Sequence, residues 1–400
     1  MRRRVGGALL VAILALGGCV RSPVAGPAPV VKPTDQSPPL PPLLHIHMFS
    51  ATTGWGYSRH SVYRTTTGGR SWHKAWTVHP GGQVITSDFA QPSTAWVAVS
   101  YPAGAQAHRG QLVRTTDGGR RWATSDLPSV PVDTQGGIDV GGWSVGNIAF
   151  LNSRQGWLLT NVGWAGPQDT VWIYRTGNGG VTWTRVMWET GDSSSPGAIP
   201  FSGYKAALVA SSATTLWIPA ADAARGYLYV SRDGGRTWGQ ASLPAPSDLP
   251  LGATLIEAGK PTFFGAAGVV TTLWANVRSA AGQGAAVVYH TTNGGLTWSP
   301  EAPPLKGGSS HSDFISPMIG WNFVPWTPGD ALWRTTDGGA SWTRRHWPAP
   351  LNSQDQLDPD FVSPTLGFLL AIQPGRGSIT STLFITTGAG RSWTEQAPRP

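Results

Sequence analysis

Side chains able to do covalent or acid–base chemistry are sparse in this chain. Only 12% of its 400 residues are charged, and the glutamates are four: Glu189, Glu257, Glu301 and Glu395. A two-carboxylate glycosidase needs an acid and a base or nucleophile facing each other across the bond to be cut. Asp88, Asp313 and Asp360 each directly precede a phenylalanine at the end of an apolar run. Recurrence at one structural position argues for a structural or channel-lining role rather than for catalysis. His45-x-His47 sets two rings on one face of a strand, a spacing that could hold a metal, but no third ligand is marked. Neither a metal nor a cofactor is therefore expected. No nucleophile elbow of the Gly-x-Ser-x-Gly kind stands out. The many Gly-Gly pairs lack the Lys-Ser/Thr that follows in a phosphate loop. Binding chemistry is better represented: Arg109, Arg225, Arg278 and Arg376 fall in connecting segments with Trp164 and Trp326, and other connections add Trp143, Trp188 and Trp347. Arginine beside aromatic rings suits carboxylates, sugars or an acidic protein surface.

The elements that must position these groups are announced by a repeat. Thr115-Thr116-Asp117-Gly118-Gly119-Arg120-Arg121-Trp122 recurs in seven versions, each opening with Ser or Thr and placing Trp seven positions later. The others are 65–72, 176–183, 231–238, 291–298, 335–342 and 386–393, spaced 44 to 61 residues apart. A period of that size means a repeat architecture. Within the box, the acidic or amide side chain (Asp117, Asn178, Asp233, Asn293, Asp337) bonds back to backbone N–H groups and holds a turn. The glycines take the positive φ of a tight hairpin. The tryptophan (Trp122, Trp183, Trp238, Trp298, Trp342) returns as an apolar wedge whose N–H needs an acceptor. The terminal copies are degenerate, with Thr67 and Gly388 at the key position.

The motif resembles the Asp-box (BNR) repeat, Ser/Thr-x-Asp-x-Gly-x-x-Trp, of sialidases, some xyloglucan hydrolases, sortilin-type receptors and photosystem II assembly factors. The resemblance spans nearly everything after residue 44. It implies that the box residues are structural and lie away from the ligand face.

Each repeat carries further marks. An apolar strand ends near Phe49, Phe89, Phe150, Phe314 or Phe361, and six or seven residues on comes Trp55, Trp96, Trp157, Trp321 or Phe368. Trp217 and Trp274 are expected to hold the same place in two less regular repeats. Two residues before each box stands Tyr63, Val113, Tyr174, Tyr229, Tyr289, Trp333 or Phe384. These marks give four strands, A to D, with the box joining C to D. The expected fold is all-β: a seven-bladed β-propeller of four-stranded antiparallel blades over residues 44–400, with no strand exchanged between the chain ends. The poorest match is the fifth unit, around 261–277. The box and strand-B positions account for 13 of the 21 tryptophans, so a high tryptophan content does not indicate a sugar platform. Length varies in the B–C and D–A connections, which share one face; insertions there usually carry binding.

Ahead of the repeats, Arg2, Arg3 and Arg4 precede a short apolar run, and Leu16-Gly17-Gly18-Cys19 resembles a bacterial lipobox. The expectation is a signal peptide over 1–18, lipidation at Cys19, and a proline-rich semi-rigid tether over 19–43. Cys19 is the sole cysteine, so no disulfide framework exists. The protein is expected to be extracytoplasmic and membrane-anchored. Removing Arg2–Arg4 lowers the net charge from +8 to +5. This mild basic excess fits an acidic partner, and the absence of a basic run argues against nucleic acid.

Lipobox, tether and seven boxes together are similar to the photosystem II assembly factors. That resemblance implies a monomeric, non-catalytic scaffold for a protein client or an acidic surface polymer. Those factors use an arginine patch, which the arginines here do not match residue by residue. The alternative is a cell-surface exo-glycoside hydrolase, sialidase-like or xyloglucanase-like. Against the sialidase version, the Arg-Ile-Pro motif is absent.

Overall fold

Alternating burial along short apolar strands builds antiparallel sheets around the box hairpins. The computed structural model describes residues 40–101, 109–128, 144–164, 169–188, 197, 199, 203–205, 207–221, 226–244, 254–264, 270–278, 284–301, 305–306, 311–324, 331–348, 351, 355–375 and 378–396. The chain divides into Met1–Pro38, which lies outside the described residues, and Pro39–Pro400. The second unit is an all-β propeller of antiparallel blades.

Its strands fall into seven sheets. Numbered in chain order, sheet 1 is Leu43–Met48, Gly54–Ser58, Ser61–Thr65 and His73–Thr77. Sheet 2 is Gln83–Gln91, Thr94–Tyr101, Arg109–Thr115 and Ala123–Asp126; sheet 3 is Ser144–Phe150, Gly156–Trp164, Asp169–Thr176 and Thr184–Trp188. Sheet 6 is His311–Phe314, Gly320–Val324, Ala331–Thr335 and Thr343–Arg345; sheet 7 is Gln356–Phe361, Gly367–Pro374, Ile379–Thr386 and Thr394–Gln396. These five run A-B-C-D. In sheets 4 and 5 the first strand is broken into two short pieces, Tyr204–Lys205 with Val209–Ala210 and Thr254–Ala258 with Thr262–Phe264. Sheet 5, the poorest repeat in the sequence, also has a divided fourth strand, Ser299–Pro300 and Leu305–Lys306. No helix among the described residues is long and apolar enough to cross a membrane.

The third and fourth strands of every sheet flank a box, and the box chemistry is visible atom by atom. Thr115 Oγ1 donates to Asp117 Oδ1 at 2.9 Å and accepts from Gly119 N–H at 3.0 Å, while Asp117 Oδ1 accepts from Arg121 N–H at 2.9 Å. Asn178 performs the same task for Thr182 N–H at 3.0 Å. In the first copy Thr67 Oγ1 replaces the carboxylate and accepts from Ser71 N–H at 2.9 Å. In the last, Gly388 has no side chain, its carbonyl accepts from Arg391 N–H instead, and Ala389 takes a φ of 59° that glycine supplies elsewhere. The indole N–H finds an acceptor in Trp122, Trp238 and Trp393 but lies buried without one among the described residues in Trp72, Trp183 and Trp298.

Neighbouring sheets lock together through the strand-B aromatic. Trp96 stacks on Phe150 of the next sheet, centroids 4.0 Å apart, and donates to Gly179 O at 3.2 Å. Trp321 stacks on Phe361 at 3.6 Å and donates to Ala389 O, and Trp157 donates to Gly234 O at 3.1 Å. These indoles are essentially fully buried. One sequence expectation fails here. Trp217 does pair with Val230, one residue before its box, but in sheet 5 that place belongs to Thr272, opposite His290; Trp274 pairs with Val288 two residues further from the box.

The chain ends meet without exchanging a strand among the described residues. Sheet 1 is wholly N-terminal and sheet 7 wholly C-terminal. Closure combines a shared apolar cluster, Leu43, Ile46, Met48 and Trp72 against Phe368, Leu370 and Leu383, with polar contacts: Leu43 N–H donates to Ser381 Oγ at 2.9 Å, Ile46 N–H to Asp358 Oδ2 at 2.9 Å, and Met48 N–H to Asp360 Oδ2.

Candidate functional site

The first strands of the sheets carry a recurrent set of polar groups. Asp88, Asp313 and Asp360, recurrent in sequence, make one recurrent contact. Asp88 Oδ2 accepts from Phe150 N–H at 2.6 Å, Asp313 Oδ2 from Phe361 N–H at 2.6 Å, and Asp360 Oδ2 from Met48 N–H. Each carboxylate thus clasps the inner strand of the following sheet, whose innermost edge would otherwise leave that N–H unpaired. Asn147 does the same for Leu208 N–H at 2.9 Å.

Between sheets 7 and 1 the clasp is doubled by histidine. His45 Nδ1 lies 2.9 Å from Asp358 Oδ2 and His47 Nδ1 lies 3.5 Å from Asp360 Oδ2. The spacing that suggested a metal therefore serves two separate carboxylates, and no group of three potential metal ligands occurs among the described residues. Burial alone would raise the Asp358 carboxyl, but the charge and hydrogen bond of His45, the Ile46 N–H and His311 outweigh it and hold it below its ordinary value. Burial likewise opposes the His45 charge, yet Asp358 and then Asp360 raise it above 6.5. His311 and Lys260, nearby, are lowered by burial against the pull of Asp358.

Asp88 and Asp313 have no ion pair among the described residues and respond oppositely. Burial pushes Asp313 up to about 7, with Asp360 and Asp358 adding repulsion against the Phe361 N–H. Burial pushes Asp88 up to about 6. Asp313 and Asp88 are both only half-buried and stay in contact with solvent, which moderates both effects.

Of the binding residues expected from sequence, Arg225, Trp326 and Arg376 lie outside the described residues, as does Cys19. Arg109, Trp164 and Arg278 are placed by backbone only, at the ends of strands Arg109–Thr115, Gly156–Trp164 and Val270–Arg278. That puts them where the B–C connections leave their sheets. Trp188 is half exposed at the end of a fourth strand, and Arg185 sits 4.9 Å over its ring and 4.4 Å over that of Trp172.

Sequence reasoning missed a column of basic side chains immediately before the boxes. Arg64, Arg175 and Arg334 lie over Trp55, Trp157 and Trp321 at 5.7, 5.6 and 5.4 Å. Arg114 Nη1 donates to Asn178 O at 3.1 Å, and His290 Nε2 meets Gly338 O at 2.6 Å. Their fixed position relative to each box was the available signal. A second omission is Gly142-Trp143-Ser144-Val145-Gly146, which does spell the nucleophile-elbow pattern. Ser144 opens the inner strand Ser144–Phe150, so the strand–turn–helix context of an elbow is missing.

No protein-family model and no curated protein sequence matches the chain. Solved structures do. YCF48 bound to D1 peptide is 19% identical over 88% of this chain and 93% of that one, with a TM-score of 0.53. YCF48 from Cyanidioschyzon merolae is 18% identical over 88% and 97%, at 0.55. The GH74 xyloglucanase from Xanthomonas campestris is 14% identical over 90% of this chain but 55% of its own, also at 0.55. At such identities the likeness establishes the fold, a β-propeller, and no more.

Proposed function

We propose that this protein is an exported, lipid-anchored, non-catalytic scaffold whose seven-bladed Asp-box propeller engages a protein client through its B–C and D–A loops. The observation that carries this reading is the employment of the inner-strand carboxylates. Asp88, Asp313, Asp358 and Asp360 each hold a neighbouring sheet by a backbone N–H, so the acids that a glycosidase would need are occupied in closing the ring. The seven sheets and the box turns support the blade count and the motif. A propeller of this fold, YCF48, has been solved with a peptide, D1, which supports a protein client. The test is in-cell crosslinking followed by mass spectrometry. The expected result is a defined protein partner that is lost when Arg109, Arg225, Arg278 and Arg376 are changed to alanine; recovery of glycan without protein would overturn the reading. For the anchor, Cys19→Ser should release the protein from membranes, and unchanged membrane association would reject lipidation at Cys19.

A hydrolase is favoured by one observation, the elevated Asp313 and Asp88 carboxyls, since an acid held protonated near neutrality is what glycoside cleavage requires. Assay against a panel of glycosides discriminates: turnover abolished by Asp313→Asn would establish the hydrolase and displace the scaffold.

A further inference from the structure

We propose that the cleft between the outer strand of sheet 6 and the box of sheet 7 binds a phosphate-class oxyanion. The cleft is lined by Arg344, Arg345, His346, Trp347 and Arg391 and measures about 770 Å³. Arg345 comes from the outer strand Thr343–Arg345, and Arg391 from the turn that follows Gly390. The two walls are fixed to each other: His346 N–H donates to Gly390 O, and Trp393 Nε1 donates to His346 O, both at 3.0 Å.

The repeat shows this junction to be an exception. Ala75, Ser125, Val186 and Arg345, each three residues after a box Trp, face the glycine pair of the next box, and the residue after that pair is exposed. At the corresponding two positions of the other repeats the sequence holds Ala75 with Arg120, Ser125 with Val181, Val186 with Arg236, Ala241 with Leu296, Glu301 with Ala340 and Gln396 with Arg70. Only between sheets 6 and 7 does arginine oppose arginine, Arg345 against Arg391. A structural repeat gives no reason to place like charges together, and they repel.

Nothing on the described part of the protein neutralises them. Neither Arg345 nor Arg391 lies within ion-pair distance of a carboxylate among the described residues. The Nε atoms of Arg345 and of Arg334 behind it are buried without a hydrogen-bond partner among the described residues. Burial, with the Arg391 charge adding to it, lowers Arg345 from its ordinary value, and the same causes together with Arg345 lower Arg334.

The chemistry selects the ligand. A phosphate monoester brings a charge of about −1.5 to −2 and three terminal oxygens, enough to satisfy two guanidinium forks at once. A single carboxylate would leave one arginine uncompensated. Stacking of a sugar is disfavoured because Trp347 is already engaged, its Nε1 donating to Leu351 O at 3.3 Å and its ring edge-on to Phe323 at 6.2 Å. The phosphate could belong to a soluble ester or to a lipid headgroup.

The test titrates the full chain with glycerol 3-phosphate, chloride holding the ionic strength constant, and follows the indole N–H resonances of Trp347 and Trp393. Saturable shifts are expected, with affinity weakened about tenfold or more in Arg345→Ala/Arg391→Ala. Arg391→Gln, at an exposed residue whose side chain makes no hydrogen bond among the described residues, gives the same readout without risk to folding. Absence of a saturable shift, or one unchanged in both variants, overturns the site. Co-sedimentation with phosphatidic acid vesicles but not phosphatidylcholine vesicles, competed by the soluble ester and lost in the same variants, assigns the phosphate to a headgroup. Binding of the ester alone assigns it to a soluble ligand. This site does not depend on the client proposal, and the crosslinking experiment reads the latter separately.

Discussion

Replacing Asp313 by asparagine should make the propeller more stable at pH 8 and stabilise it far less at pH 4.5. The side chain accepts from Phe361 N–H through one oxygen at 2.6 Å, and an amide oxygen can do the same. What the substitution removes is a charge. Raising a carboxyl from 3.8 to about 7 on folding disfavours the folded state by about 4 kcal/mol at pH above 7. Solvent contact at this half-buried group reduces that to about 2 kcal/mol. The sign follows from proton binding. Between 3.8 and about 7 the folded protein keeps a proton that the unfolded chain has released, so stability declines as pH rises through that interval and is level beyond it. Below 3.8 both states are protonated and the effect vanishes. For a folded unit of this size, about 2 kcal/mol corresponds to a rise in Tm of about 3 °C. Differential scanning calorimetry of the parent and Asp313→Asn at pH 4.5 and 8.0 measures it. Equal Tm differences at the two pH values, or a variant less stable at pH 8, would falsify the assignment of Asp313 as a clasp strained by its own charge.

Asp358→Asn should behave oppositely. Asp358 is depressed and His45 elevated, so their pairing contributes fully above about 3.9 and below about 6.5. The variant should lose about 1 kcal/mol at pH 5.5, after allowance for a His45 that is 35% exposed, and less at pH 8; urea titration at both values checks this. Trp96→Phe keeps a ring on Phe150 but deletes the bond to Gly179 O, and should cost about 1–2 kcal/mol in the same assay. Gly180→Ala should cost more, about 2–4 kcal/mol: φ is 89° and the new methyl would lie 2.1 Å from Leu112 Cδ2. A calorimetric loss below that of Trp96→Phe would refute the claim that this glycine is needed for close approach.

The division between what was legible and what was not follows the range of the interactions. The box is local: Thr115, Asp117, Gly119 and Arg121 bond within seven residues of one another, so their spacing alone specifies a hairpin, and seven copies specify a propeller. The inner-strand aspartates were legible as structural because they recurred, but their acceptor role depends on the next sheet, about 50 to 60 residues away for Asp88 and Asp313 and at the opposite chain end for Asp360. His45 and His47 looked like half of a metal site since sequence shows alternation along a strand and not what closes against it. The register of sheet 5 is hidden for a related reason: Trp274 lies at nearly the right interval before the box, and only the strand pairing shows that Thr272 holds that place. The Arg345–Arg391 cleft joins residues of different repeats, and like charges become informative only once they are adjacent in space. Sequence determined the blades, because turn chemistry and alternation act within a few residues. Tertiary structure decided the clasps, the closure and the arginine cleft, because each is made by two sheets that only the ring brings together.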